Sequence, residues 1–246
     1  SVLDSLPFNN TYLLFLCVLL FVSSIIFVIE ANALAVIEED LLREVASLVE
    51  YPVALLGNFD PAFLGVPAEA LILTMKSHQK CFHLVDHAGN LLPKFITVSN
   101  IVSKDPALVI KGNERVIRPR LADAQFFCDT DKLQTLESRQ DSLQKLVFQD
   151  KLGSVFQKSQ RVASLSKSIA KLLGYSTEDC EKAARLCKCD LVTDMVREFS
   201  DLQGVVGSYY AKYDGESEEV CRAVREHYLP KFSGDKLPET TTGSVV

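Results

Sequence analysis

The sequence predicts an α+β fold, in which a mixed part with a small antiparallel sheet is followed by an all-helical part. Three observations support this: apolar residues at helical spacing between residues 36 and 49, two short apolar runs around a turn between 81 and 99, and helix-forming patterns from Pro119 onward. With 246 residues, of which 48% are hydrophobic and 24% charged, the chain can bury a core.

The mixed part begins with an amphipathic helix that Pro52 ends, because a proline disfavours helical backbone in the residue before it. An apolar run over 53–56 follows, and then a helix from about Ala68 to Ser77. Strands are predicted over 81–86 and 94–99. They flank Gly89-Asn90, a pair that favours a turn, so an antiparallel hairpin is expected.

In the helical part, Pro119 is expected in the first turn of a helix, where its missing N–H costs nothing. Ser176 is expected to cap a later helix, with Asp179 at the capping-box position. Helices are predicted over 137–173 with a break near residue 153, over 176–199, over 204–213 and over 217–228, with a turn at 214–215 and a polar tail over 233–246.

The first 33 residues differ from the rest. Between Tyr12 and Ile29 there are 18 residues without a charge, enough to cross most of a bilayer, but no Lys or Arg precedes Arg43 to orient such a helix. Three interpretations stay open: sequence foreign to the domain that follows, a transmembrane helix, or a buried helix. The first is preferred because the pattern after Ala33 is that of a soluble protein.

Charge and cysteine content exclude two broad classes. The net charge of -6 argues against a general polyanion-binding protein, so any nucleic-acid contact must come from a local basic surface. The seven cysteines show no CxxC pair and no disulfide framework, which indicates reduced thiols.

One local basic excess lies between residues 76 and 120, where eight cations face only Asp86, Asp105 and Glu114. Such a cluster can bind phosphates. The alternative is structural, with Glu114 and Asp123 holding the arginines in ion pairs. The candidate tRNA-binding residues are Lys76, His78, Lys80, Arg115, Arg118 and Arg120. His78, His83 and His87 do not form a convincing metal-ligand set, so no metal site is expected.

Long strings carry a family resemblance: EEDLLREVASLVEYPVALLGNFD (38–60), VPAEALILTMKSHQKCF (66–82), LLPKFITVSNI (91–101), GNERVIRPRLADAQFF (112–127), VFQDKLGSVFQK (147–158), CDLVTDMVREFSDLQGVVGSYYA (189–211) and LPKFSGDKLPET (229–240). In order and spacing they resemble the β subunit of the bacterial-type, two-subunit glycyl-tRNA synthetase, over about residues 35–243.

The resemblance implies a subunit that binds tRNA(Gly) and is needed for glycine-tRNA ligase activity, while an α subunit holds the glycine and ATP site in an α2β2 tetramer. This chain is then expected to carry no catalytic residue and no cofactor of its own, with ATP and Mg used by the complex. A bacterial cytoplasm, or an organelle of bacterial ancestry, is the expected location. The family's β subunit is much longer, so the chain is expected to be a fragment that is inactive alone.

The resemblance also predicts three regions: 1–33 foreign to the family, 34–135 an α+β region, and 136–246 a truncated helical domain of the HD type. True HD phosphohydrolases hold a metal with an adjacent His-Asp pair. Here Lys188-Cys189-Asp190 occupies the corresponding position, with Cys189 where the His ligand would be, which predicts a domain that keeps the HD fold without hydrolase activity. Gly204 and Gly207 are expected to allow close helix packing.

Two other functions remain as alternatives. One is an HD-type, metal-dependent phosphohydrolase, which would need the missing ligands. The other is a membrane-anchored interaction protein, which depends entirely on residues 12–29 being a transmembrane helix.

Overall fold

A computed structural model describes residues 33–246, and the chain divides between Gln125 and Phe126 into two compact units. The apolar segment from Tyr12 to Ile29 lies outside the described residues. Within 33–246, no helix has the length and apolar character needed to cross a bilayer. The sequence-based boundary at residue 135 lies C-terminal to the division between the two units.

The first unit is built on a four-stranded antiparallel sheet with the order β1-β3-β4-β2. The strands are β1 (Leu34–Ala35), β2 (Val53–Asn58), β3 (Phe82–Val85) and β4 (Leu91–Ser99). Strands β3 and β4 form the predicted hairpin, and Gly89 in the turn has a φ of 85°, which glycine adopts without strain. The hairpin prediction is confirmed.

Two helices accompany this sheet, α1 (Glu39–Leu48) and α2 (Ala68–Gln79), with a short 3-10 helix (Pro61–Gly65) between β2 and α2. The core of the unit forms where the apolar side of α1 meets the sheet. Its buried members are Ala33, Leu41, Val45, Ala54, Phe82, Leu84 and Ile96.

The long helix α3 spans Pro106–Asp131 and contains Pro119 in its interior. The prediction that Pro119 lies in a first helical turn is therefore wrong. An internal proline removes one helical hydrogen bond. The helix continues nevertheless, since Ile117 and Leu121 on the same side are buried to 1% exposure or less, and their burial offsets the lost bond.

The second unit begins at Phe126, within the last turns of α3, and is mainly helical. Its elements are a 3-10 helix (Glu137–Lys145), a hairpin of β5 (Val147–Gln149) and β6 (Gly153–Ser154), α4 (Val155–Leu173), α5 (Thr177–Leu186), 3-10 helices at Cys189–Val192 and Ser200–Leu202, α6 (Asp194–Glu198), α7 (Val205–Tyr213), α8 (Glu218–Glu226) and α9 (Thr241–Val245).

Helix starts in this unit follow the predicted capping chemistry in part. The Ser176 hydroxyl accepts a hydrogen bond from the Asp179 amide at 3.2 Å, as predicted. Ser154 and Gln157 form a complete capping box at the start of α4. The predicted break near residue 153 is a hairpin over 147–154, and the helical segment before it is a 3-10 helix that ends at Lys145. The prediction of a single helix over 176–199 is wrong, because the backbone turns between Leu186 and Asp194.

A close approach in the sheet gives a first test. Gly57 on β2 lies opposite Phe95 on β4, and a Cβ at residue 57 would collide with the buried Phe95 ring, whose Cε1 atom would lie 2.8 Å away. We expect Gly57→Ala to lower the free energy of unfolding by roughly 1–3 kcal/mol, as overpacked cores do. Urea unfolding followed by circular dichroism measures this change.

Gly65→Ala is the matched control, because a Cβ there would meet nothing within 4 Å. Equal unfolding midpoints for the two variants would contradict the packing described for β2 and β4.

Candidate functional site

Three exposed arginines lie within six residues of helix α3. Arg115, Arg118 and Arg120 are all exposed, and no carboxylate within residues 33–246 forms a salt bridge with any of them. They span about 7.5 Å along the helix axis at 1.5 Å per residue. At about 100° per residue, Arg115 and Arg118 lie on one side of α3, and Arg120 lies about 140–160° from them around the axis. This group, called here the arginine row, is a concentration of cationic charge with free hydrogen-bond donors.

The carboxylate nearest in sequence to the arginine row is used elsewhere. The Glu114 Oε1 atom accepts a hydrogen bond from the backbone amide of Asn58 at 2.9 Å, at the end of β2. The interpretation in which Glu114 holds the arginines is therefore wrong. Asp123 is exposed and forms no ion pair among the described residues. Glu114 thus contacts the end of β2 although it lies on the same side of α3 as Arg118, and the three arginine side chains are exposed.

The other three candidate residues lie on or just after helix α2. Lys76 pairs with Glu38, and Lys80 pairs with Glu44 at 2.8 Å, while His78 is exposed. Lys80 ends the helix in the left-handed conformation, with a φ of 52°. These ion pairs link α2 to residues of α1 and its cap. Part-exposed pairs of this kind contribute between about 0 and 1 kcal/mol, so they neutralise the two lysines more than they stabilise the fold.

The second unit contains a fully buried carboxylate, Asp190, at the position where the sequence suggested a degenerate His-Asp pair. Its Oδ2 atom accepts a hydrogen bond from the Gly204 amide at 2.6 Å, whereas its Oδ1 atom is buried without a partner. Burial raises the pKa of Asp190 to about 6, and the Gly204 amide opposes that rise. Asp190 thus positions the turn that precedes α7.

The two residues before Asp190 do not supply metal ligands. The Lys188 ammonium lies 3.6 Å from the centroid of the Tyr228 ring, and burial lowers the pKa of Lys188. Cys189 is buried, its thiol donates to the Arg185 carbonyl at 3.3 Å, and burial raises the pKa of that thiol. A protonated thiol is a poor ligand, because metals bind the thiolate. Within 33–246, no three His, Cys, Asp or Glu residues are placed to hold a metal ion.

Gly204 and Gly207 have the packing role expected from the sequence. Gly204 has a φ of 78°, and a Cβ at Gly207 would lie 2.9 Å from Asp190 Oδ2 and 3.0 Å from Val224 Cγ1. Helix α7 can approach Asp190 and α8 this closely because residue 207 has no side chain. The prediction of close helix packing at these glycines is confirmed.

Asp131, at the end of α3, is a buried polar residue to which sequence reasoning gave no role. Its carboxylate accepts hydrogen bonds from the amides of Asp194 and Met195 at 2.9 and 3.0 Å, and from the Tyr210 hydroxyl at 3.0 Å. Its partners lie more than sixty positions away in sequence, so no local pattern could have indicated them.

Comparisons with a family model and with individual proteins agree on one family. The sequence model described as "Glycyl-tRNA synthetase beta subunit" matches residues 24–246. Among similar proteins, the glycine–tRNA ligase β subunit of Marinobacter nauticus is 58% identical over 217 residues, which is 88% of this chain and 31% of the relative. That of Chromohalobacter salexigens is 57% identical over 212 residues, covering 86% of this chain and 31% of the relative. The chain spans about a third of the length of these relatives.

The buried state of Asp190 predicts a pH-dependent difference in stability. The pKa of Asp190 is raised from 3.8 to about 6 in the folded chain. Between these two pH values the folded chain keeps the proton that the unfolded chain has lost, so the free energy of unfolding falls as the pH rises from about 4 to about 6. Relative to the parent chain, Asp190→Asn should gain roughly 1–3 kcal/mol in free energy of unfolding between pH 4 and pH 7. Urea unfolding at both pH values measures this gain.

Asp201→Asn provides the control, because Asp201 is exposed and its variant should show no such gain. A difference between Asp190→Asn and the parent chain that is the same at both pH values would contradict the buried, proton-retaining carboxylate.

Proposed function

Because the chain belongs to the glycyl-tRNA synthetase β-subunit family, we propose that it is a tRNA-binding part of a glycine–tRNA ligase. In this proposal the arginine row on α3 contacts the phosphate backbone of tRNA(Gly). The glycine and ATP site, with its Mg ions, is on a separate α subunit, and the two kinds of subunit assemble as α2β2. The chain on its own does not aminoacylate tRNA.

The observation that carries the proposal is the exposed, unpaired state of Arg115, Arg118 and Arg120. A guanidinium can donate two parallel hydrogen bonds to a phosphate, and it retains its charge under all physiological conditions. Binding releases counterions from the RNA, which favours association with a chain whose net charge is negative overall. The arginine row is therefore better suited to phosphate contact than Lys76 and Lys80, whose charges are already paired.

His78 remains a secondary candidate for RNA contact. It is exposed near the C-terminal end of α2, between two lysines whose ion pairs are partly open to solvent. An incoming phosphate can compete for such lysines, since part-exposed ion pairs are weak. We assign these three residues a weaker contribution to tRNA binding than the arginine row.

Catalysis is assigned to the α subunit, and the positions of the second unit where a metal site was considered support this assignment. Asp131 and Asp190 bind backbone amides, and Cys189 is a buried thiol. The six described cysteines are all unpaired, as expected in a reducing cytoplasm of the bacterial type. No observation favours the phosphohydrolase or the membrane-anchored protein.

Substitution of the arginine row tests tRNA contact. The triple variant Arg115→Gln, Arg118→Gln, Arg120→Gln should bind tRNA(Gly) about tenfold or more weakly, because up to three phosphate contacts are lost. The slope of log affinity against log salt should fall by about 0.7–0.9 for each contact removed. Fluorescence anisotropy with labelled tRNA(Gly) over a salt series measures both quantities.

Arg197→Gln is a suitable control, since Arg197 is exposed on α6 of the second unit and pairs only loosely with Asp194 at 3.6 Å. It should leave affinity and slope unchanged. An unchanged salt slope in the triple variant, with the fold intact, would remove the arginine row from the proposed interface.

A second test separates tRNA binding from the amino-acid chemistry. The same triple substitution, placed in a full-length β subunit that contains this sequence and combined with its α subunit, should raise the KM for tRNA(Gly) about tenfold. Glycine-dependent exchange of pyrophosphate into ATP should not change, because glycyl-adenylate forms without tRNA contact. Loss of that exchange together with glycylation would instead place the arginines at the α-subunit contact.

A further inference from the structure

The second unit contains a small polar cavity that the proposed tRNA contact does not use. It has a volume of about 120 Å³ and lies between α4, the turn after α5 and the end of α8. This is roughly the liquid volume of four water molecules. The residues that line the cavity are Lys158, Ser159, Val162, Cys187, Lys188, His227 and Val246.

Two of the lining residues are lysines. Lys158 lies 4.3 Å from the centroid of the Phe148 ring, and Lys188 lies 3.6 Å from that of Tyr228. Neither forms a salt bridge with a carboxylate among residues 33–246. Burial is the largest cause of the lowered pKa of Lys188 and of His227; Lys158 lowers both pKa values further, and Lys188 lowers that of His227. Two like charges at one cavity favour an anion.

A hydroxyl and an imidazole add hydrogen-bonding groups to the same cavity. Ser159 is 4% exposed, and its hydroxyl has no hydrogen-bond partner. The His227 Nδ1 atom lies 2.7 Å from the Val224 carbonyl, which can only accept, so Nδ1 carries the proton. The Nε2 atom is then an acceptor, and it too is buried without a partner. Beside the two lysines, the cavity thus has a hydroxyl and an imidazole nitrogen that lack partners, and Val246, the last residue of the sequence, also lines it.

The cavity combines a buried acceptor, the Nε2 atom of His227, with the cationic donors Lys158 and Lys188. Sulfate at neutral pH offers only acceptors, so it would leave Nε2 unpaired, which lowers its affinity for the cavity. Inorganic phosphate retains a proton on one oxygen, which can donate to Nε2 while its other oxygens accept from Lys158, Lys188 and Ser159. The neutral form of His227 persists because burial lowers its pKa to about 3.

The structure assigns to this cavity a binding site for inorganic hydrogen phosphate, formed by Lys158, Lys188, Ser159 and His227. A metal ion does not fit the cavity, because two ammonium groups repel it and burial raises the pKa of the Cys187 thiol to about 12, which keeps the thiol protonated. The carboxylate that acts on Lys188 is Asp190, and its Oδ2 atom is bound to the Gly204 amide.

Titration of the 246-residue chain with inorganic phosphate at pH 8 and constant ionic strength tests the site. Binding is followed by phosphorus NMR line broadening, with sulfate as competitor. Phosphate should bind at least about tenfold more tightly than sulfate, since one buried hydrogen bond separates the two ligands. Lys188→Met should weaken phosphate binding about tenfold or more, because a charge-assisted contact is lost.

Ser159→Ala gives a second variant with little change in volume, and it should weaken phosphate binding several-fold, so the test survives if Lys188→Met does not fold. Lys151→Met is the matched control, because Lys151 is exposed in the β5–β6 turn, and this variant should bind phosphate as the parent chain does.

Equal affinity for phosphate and sulfate, unchanged phosphate binding in Ser159→Ala and Lys188→Met, or no phosphate binding at all would each overturn the assignment. Phosphate binding that falls only in the arginine-row variant would overturn it too, and would place the anion on α3.

Discussion

The second unit depends on Asp131, a carboxylate that is 2% exposed at the end of helix α3. It accepts the first amides of α6 and the hydroxyl of Tyr210 on α7, and the Arg139 guanidinium lies 3.6 Å from it. Hydrogen bonds to a charged group contribute about 1.5–3 kcal/mol each. Asp131 therefore fixes the start of α6 and the packing of α7. Asp190 fixes the start of α7, because it accepts a hydrogen bond from the Gly204 amide.

The hydrogen bonds of Asp131 and Asp190 bear on whether the second unit could be a metal-dependent hydrolase. In a metal-dependent hydrolase, buried aspartates would face an ion and a water molecule. Here Asp131 and Asp190 bind backbone amides within the unit, and the residue before Asp190 is a buried thiol. These two carboxylates thus support the fold, and the groups that we propose for contact with a macromolecular partner are on the surface. The arginine row on the first unit is the clearest such group, because Glu114 is committed to the sheet.

The sequence predicted the features that depend on neighbouring residues. The β3–β4 hairpin followed from Gly89-Asn90, and the start of α5 followed from the hydroxyl of Ser176. Contacts between distant residues could not be predicted. Helix α3 continues through Pro119 because Ile117 and Leu121 are buried, and the helix predicted over 176–199 is interrupted where Asp190 turns inward. The sequence also predicted the arginine row as a candidate site. That Glu114 does not pair with these arginines could not be predicted, because its partner is the backbone amide of Asn58, 56 residues earlier.

Cross-linking most directly tests the claim that this chain contacts tRNA through the first unit. The chain would be irradiated with tRNA(Gly) under conditions that give saturable binding, and the linked peptides identified by mass spectrometry. Linked peptides from residues 104–120 are expected, and they should disappear when unlabelled tRNA competes. Cross-links confined to the second unit, with none on α3, would contradict it.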